Sequence, residues 1–177
     1  MKRILLFIVS IFAPFTATSV AAVFAASKAP VIEEMSSYAI EHKQVDRVGV
    51  LRNFLAKYNS PLVGSAEAFV KAADIYNLDY RLLPAISCME STCGRFLIPD
   101  SHNPFGWGVY GNGSYIKFDD YNEAIHGVAA GLNSLYFSKG LNTPEKIAPV
   151  YTPPNHTKWL WGVNFFINQM DEIALNM

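Results

Sequence analysis

The 177-residue chain carries 14 Lys and Arg against 15 Asp and Glu, and 51% of its residues are apolar. That balance lacks the basic excess that nucleic-acid binding needs, so no nucleic-acid partner is expected. Two cysteines cannot form a four-cysteine zinc site, and His42, His102, His126 and His156 have no metal-ligand spacing; no metal and no other cofactor is expected.

Lys2 and Arg3 precede the apolar runs Ile4 to Val9 and Ile11 to Phe15, and small residues follow, ending Val23-Phe24-Ala25. This is the pattern of a signal peptide over residues 1–25, cleaved after Ala25. The competing reading is an uncleaved anchor, because Ile4 to Ala26 spans 23 residues and a helix of that length crosses a bilayer. Pro14, Thr16, Thr18 and Ser19 dilute the anchor. Cleavage leaves 152 residues, with 12 Lys and Arg against 15 acids and a formal charge of −3. The expected product is secreted, periplasmic or bound in a cell wall, without stable membrane insertion. Its length fits one domain and a monomer.

Residues 26–43 mix small, charged and polar types and read as a flexible leader, with room for a short helix across Ile32 to His42. A domain is expected over residues 44–177. Val45, Val48, Leu51, Leu55 and Tyr58 recur at helical spacing, so Gln44 to Tyr58 reads as an amphipathic helix ended by Ser60-Pro61. Ser65 can cap a second helix with Phe69, Ala72, Ala73 and Tyr76 on one face, ending at Asn77-Leu78-Asp79. Asp79 can cap a third, whose stripe of Leu82, Ala85, Ile86 and Met89 is apolar enough for a central position.

From Arg95 to Lys117 the signals are those of loops and a hairpin. Gly111-Asn112-Gly113 is flanked by Val109-Tyr110 and Tyr115-Ile116, which read as two short paired strands able to bring aromatic side chains to a polymer. Asp119 or Asp120 can cap the next helix, with Ile125, Val128, Ala129, Leu132, Leu135 and Tyr136 on its apolar side and Gly140 as its stop. Thr143-Pro144 opens a short helix to about Ala148, Tyr151-Thr152-Pro153-Pro154-Asn155 forms a rigid loop, and Thr157 can cap a last helix bearing Trp159, Val163, Phe166, Ile167 and Met170.

Glu90 closes the third helix. Its flanks Ile86 and Met89 are apolar, and a carboxylate at a helix C-terminus meets unfavourable dipole potential. Both effects favour the protonated form that a general acid needs. The alternative is a solvated carboxylate paired with Arg95. Cys88 and Cys93 would have Cα atoms roughly 8.6 Å apart in a continuous helix, beyond disulfide reach. A bridge therefore requires the helix to stop between them, as Gly94 allows; two unpaired apolar cysteines are the other reading. No Gly-x-Ser-x-Gly elbow or phosphate-cradling loop is present.

The stretch Tyr76-Asn77-Leu78-Asp79-Tyr80-Arg81-Leu82-Leu83-Pro84-Ala85-Ile86-Ser87-Cys88-Met89-Glu90-Ser91, followed by Asn103-Pro104-Phe105-Gly106, resembles the lysozyme-like glucosaminidase domains of bacterial autolysins. These are the mannosyl-glycoprotein endo-β-N-acetylglucosaminidase-like group; the soluble lytic transglycosylases are a more distant likeness. Phe118 to Ile125 and Ile147 to Asn155 extend the resemblance, which covers about Val63 to Ile173.

The resemblance implies a mainly α, lysozyme-like α+β fold, a helical bundle with a small β-hairpin beside the cleft. It implies a secreted peptidoglycan hydrolase, a glycosidase cutting β-1,4 bonds between amino sugars, with the glycan strand as partner. Glu90 would be the general acid. Tyr151 would orient the sugar or stabilise developing positive charge, against a role as an aromatic wedged between prolines. Ser91 and Asn103 would hold the loop or bind substrate. Trp107 is either a sugar platform or hairpin packing, Tyr110 a further substrate contact, and Phe105 a core plug. Asp100, Asp119 and Asp120 are the candidates for a second carboxylate. If none serves, Glu90 alone fits a lytic transglycosylase that leaves 1,6-anhydromuramic ends; a wall-binding domain without activity is a third reading.

Overall fold

A helix begins where Asp46 accepts a hydrogen bond from the Gly49 N–H at 2.9 Å, satisfying one of the orphan amides of its first turn. In the computed structural model, which describes residues 45–109 and 112–177, this helix is α1, Arg47–Lys57. Its buried face is Val50, Leu51, Phe54 and Leu55. That face is rotated from the expected stripe, and Val45 is exposed. The expected signal peptide and leader lie outside the described residues.

Ser60 opens a 3-10 turn, Pro61–Ser65, by accepting from the Leu62 N–H, and its hydroxyl donates to the Cys93 carbonyl at 2.6 Å. Helix α2, Ala66–Tyr76, follows, with Ser65 at its cap position but without the expected side-chain bond. Asn77 stops it in the left-handed conformation, and Asn133 donates to the Tyr76 carbonyl at 2.8 Å, satisfying one of the helix's terminal acceptors.

Helix α3, Leu82–Ser91, buries all of its residues except Met89 and Glu90. Helix α4, Tyr121–Leu135, starts with a reciprocal cap: Asp120 accepts from the Glu123 N–H at 2.8 Å, while Glu123 accepts from the Asp119 N–H at 2.6 Å. Leu135, expected on its apolar side, is exposed. Helix α5, Pro144–Tyr151, runs three residues beyond its expected end with Pro149 inside it. A 3-10 turn, Pro153–Asn155, leads to α6, His156–Leu175, which opens one residue before Thr157.

Helix α6 runs against α1, α3 and α5, and α2 packs on α4 and α1. Phe54, Phe69, Phe105, Ile86, Ile125 and Leu132 are among the fully buried side chains of one continuous core. Arg81 joins α3 to α6 through Asp171 while also pairing with Asp79. No helix among the described residues is long and apolar enough to cross a membrane.

The expected α+β class is overturned, because the described residues contain helices and turns and no strand. Val109, Tyr115 and Ile116 make no ladder; Tyr110 and Gly111 lie outside the described residues. The physical reason lies in Asn103. Its amide N–H groups donate to the Trp107 and Ile116 carbonyls at 2.8 and 3.0 Å, and its carbonyl accepts from the Trp107 N–H at 3.0 Å. One side chain therefore bridges the two limbs by contacts that a strand pair would make between backbones. Phe118 N–H to Ser101 O at 2.9 Å ties the limbs again further along.

Candidate active site

At the end of α3 two backbone amides beyond the helix converge on one carbonyl. Ser87 O accepts from the Thr92 and Cys93 N–H groups and lies 2.9 Å from the Ser91 hydroxyl. Thr92, Cys93 and Gly94 then take φ of 54°, 57° and 79° in succession. This left-handed run is costly for a β-branched residue such as Thr92. It reverses the chain so that Cys88 and Cys93 are joined as a disulfide, which could not form across an uninterrupted helix.

The Ser91 hydroxyl is used within this turn. It lies 2.7 Å from the Pro104 carbonyl as well as near Ser87 O, and it accepts from the Gly94 N–H at 2.9 Å. Its effect is to fasten the loop containing Pro104 to the helix end. Asn103, with three bonds from its amide, braces the same loop from the other side.

Glu90 projects from the last turn of α3 and remains open to solvent on one side. Its Oε1 accepts from the Trp159 indole N–H at 3.0 Å. Trp159 is buried on α6, and it reaches Glu90 because α3 and α6 come close at Met89 and Gly162. Despite the open side, crowding of the carboxyl group raises the Glu90 pKa above the ordinary carboxylate range, with the indole donor pulling the other way. The C-terminal dipole of α3 acts in the same sense as the crowding.

Behind the indole stands Tyr151, with ring centroids 5.0 Å apart, and Tyr136 lies 6.1 Å beyond it. Burial, then the negative charge of Glu90 and the neighbouring Tyr136, push the Tyr151 hydroxyl far above its ordinary pKa, so it stays neutral.

In front of Glu90 is an open groove of about 350 Å³ whose walls include Phe96, Ile98, Asn103, Gly106 and Val109. Phe96 is 70% exposed, although nothing polar requires it to face water. Gly106, at φ 60°, brings bare backbone close to the carboxyl: a Cβ placed there would lie 3.8 Å from Glu90 Oε2. The arrangement sets one carboxyl group opposite the apolar side chains of Phe96, Leu97, Ile98 and Val109, with Ser91 and Asn103 also on the lining.

The structure thus brings Glu90, Ser91 and Asn103 to one groove and places Tyr151 behind Trp159. Trp107 is packed on α4, its ring 2.4 Å from where a Gly131 Cβ would stand, and Phe105 fills the core against Phe69. Asp100, at φ 57°, and Asp119 and Asp120 at the start of α4 do not line the groove. Tyr110 lies outside the described residues. Sequence reasoning placed Trp159 in the core but missed its bond to Glu90, and it missed Phe96, Ile98 and Val109 on the groove wall. Trp161, two positions on, is 70% exposed and stacks on Phe165. Among the described residues no group of three His, Cys, Asp or Glu is placed to hold a metal ion.

Comparison of the chain with protein-family models and with curated protein sequences finds no match in either.

Proposed function

We propose that this chain is an exported glycosidase that cuts β-1,4 bonds between the amino sugars of peptidoglycan, with Glu90 as general acid. The observation that supports it most is the Glu90 carboxyl at the end of a buried helix, open to a groove with apolar walls and held by an indole donor. A carboxyl with a raised pKa retains its proton nearer neutral pH and can deliver it to a glycosidic oxygen as the C–O bond breaks. Tyr151 supports the floor of the site through Trp159, and Ser91 and Asn103 hold the loop that faces the acid.

Within that activity, one observation favours the lytic transglycosylase route. Glu90 is the one carboxylate among the described residues that line the groove. An inverting hydrolase needs a second carboxylate roughly 6.5–9.5 Å from the first, whereas transglycosylation reuses the same one. Glu90 protonates the leaving oxygen, then as carboxylate removes the proton of the sugar's own 6-hydroxyl, whose oxygen closes on C1 to give a 1,6-anhydro end.

The test is incubation of purified protein with isolated peptidoglycan and mass analysis of the fragments. Anhydromuramic ends support the single-carboxylate route and reducing ends support hydrolysis. Binding without new ends defeats the enzymatic reading.

A further inference from the structure

We infer that Trp159 is a positioning residue whose indole N–H holds Glu90 Oε1 as the carbonyl oxygen of the acid and so leaves the transferable proton on Oε2. The inference rests on the reading of Glu90 as general acid and deepens it by naming the atom that gives up the proton.

An indole nitrogen only donates. With Nε1 3.0 Å from Oε1, a proton on Oε1 directed at the indole would face another hydrogen, and a carbonyl oxygen accepts better than an acid hydroxyl. Oε2 is the carboxyl oxygen nearest the bare backbone of Gly106, a residue that also lines the groove. The donor cannot readily turn away. Trp159 is 5% exposed, the Tyr151 ring lies against it, and the close passage of α3 and α6 fixes its height. Without the indole the two oxygens would be equivalent by rotation of the carboxyl, and the proton would be turned from the groove for part of the time.

The surrounding titratable and charged groups leave this assignment to Glu90. From α5, Tyr151 stays neutral, and Tyr136 behind it is likewise raised by burial. His156 at the start of α6 is held at the Pro153 carbonyl, and the Arg95 guanidinium lies over the Phe96 ring at 5.8 Å.

The experiment follows the Glu90 carboxyl carbon and the Trp159 indole N–H by NMR through a pH titration of the folded chain. Glu90→Gln and Trp159→Phe identify the two signals. The indole proton is expected to shift with an inflection at the pH where the Glu90 carbon titrates. Loss of the donor in Trp159→Phe removes a bond that favours the charged form, so the Glu90 pKa rises and the alkaline limb of cleavage moves to higher pH. In that variant kcat falls roughly tenfold with KM little changed, a modest share of what a placed acid contributes. If Trp159→Phe fails to fold, 3-benzothienylalanine at position 159 keeps the two-ring shape, puts sulfur in place of N–H, and gives the same upward shift. An indole signal indifferent to the titration of Glu90, or an unmoved Glu90 pKa in the folded variant, overturns the assignment. Co-titration in a protein that leaves peptidoglycan uncut supports the pairing and overturns the enzymatic reading.

Discussion

The sulfur of Met89 occupies the place where a side chain at Gly162 would begin, 2.0 Å from an ideal Cβ. This is how α6 approaches α3 closely enough for Trp159 to reach Glu90. A second glycine, Gly131, has the same relation to Trp107, whose ring comes within 2.4 Å of the missing Cβ.

The two glycines should respond differently to alanine. A thioether chain can swing aside, and a helical Gly→Ala change gains about 1 kcal/mol in propensity. Gly162→Ala is therefore expected within about 1 kcal/mol of the parent protein, despite the overpacking. The Trp107 ring is rigid and its backbone is pinned by Asn103, so Gly131→Ala should lose about 1–3 kcal/mol. Urea unfolding of both variants ranks them; equal costs would show that the tryptophan yields as easily as the methionine.

Asn103→Ala removes three hydrogen bonds at once and leaves half-buried backbone groups of Trp107 and Ile116 to find water. A loss of about 1–3 kcal/mol is expected, because each bond contributes about 1 kcal/mol net and half-buried groups recover part of their hydration. Limited proteolysis should open the chain near Gly113 in this variant. Unchanged protease resistance would mean that the loop is held by other contacts.

The disulfide closes a loop of only a few residues, and chain-entropy arguments assign such a loop about 2 kcal/mol. Cys88 and Cys93 should resist thiol labelling in the folded chain until a reductant is added. The Cys88→Ala, Cys93→Ala double variant should unfold at lower denaturant by the corresponding amount. Immediate labelling without reductant would contradict the bridge.

Glu90 should also shape stability against pH. Its folded pKa is raised, so the folded chain binds more protons than the unfolded chain between the ordinary value of 4.5 and the raised one. Wild-type stability should therefore fall as pH rises through that window, and Glu90→Gln should lack this component. On the proposed function, cleavage should decline as pH rises past the folded pKa, because the proton to be donated is lost. Parallel stability curves for the two proteins across the window would show that burial does not perturb this carboxyl.

What could be read from the sequence follows the range of the forces involved. Helix α3 was legible because its apolar stripe and the glycine beyond it are local signals, whereas helix geometry tied a stop between Cys88 and Cys93 to a bridge that the sequence left open and the structure shows. The place of Glu90 in the last turn of that helix was legible from the same local signals. The expected hairpin came from an equally local turn signal at Gly111-Asn112-Gly113, but the segment is organised by Asn103, thirteen positions from Ile116. The Trp159 bond to Glu90 spans sixty-nine positions and depends on how closely two helices pass. Periodicity shows that Trp159 is buried; it does not show which carboxylate its N–H meets. Asp120 carried too little information to separate a cap from a base, and the structure uses it as a cap.

Fragment analysis of peptidoglycan treated with the wild-type chain and with Glu90→Gln, both checked for the same helical content, tests the role of Glu90 most directly. New glycan ends should form with the wild type and fall by at least about a hundredfold with the variant, the lower range for removal of a general acid. Equal release of ends by the two proteins would remove Glu90 from the chemistry and contradict the account.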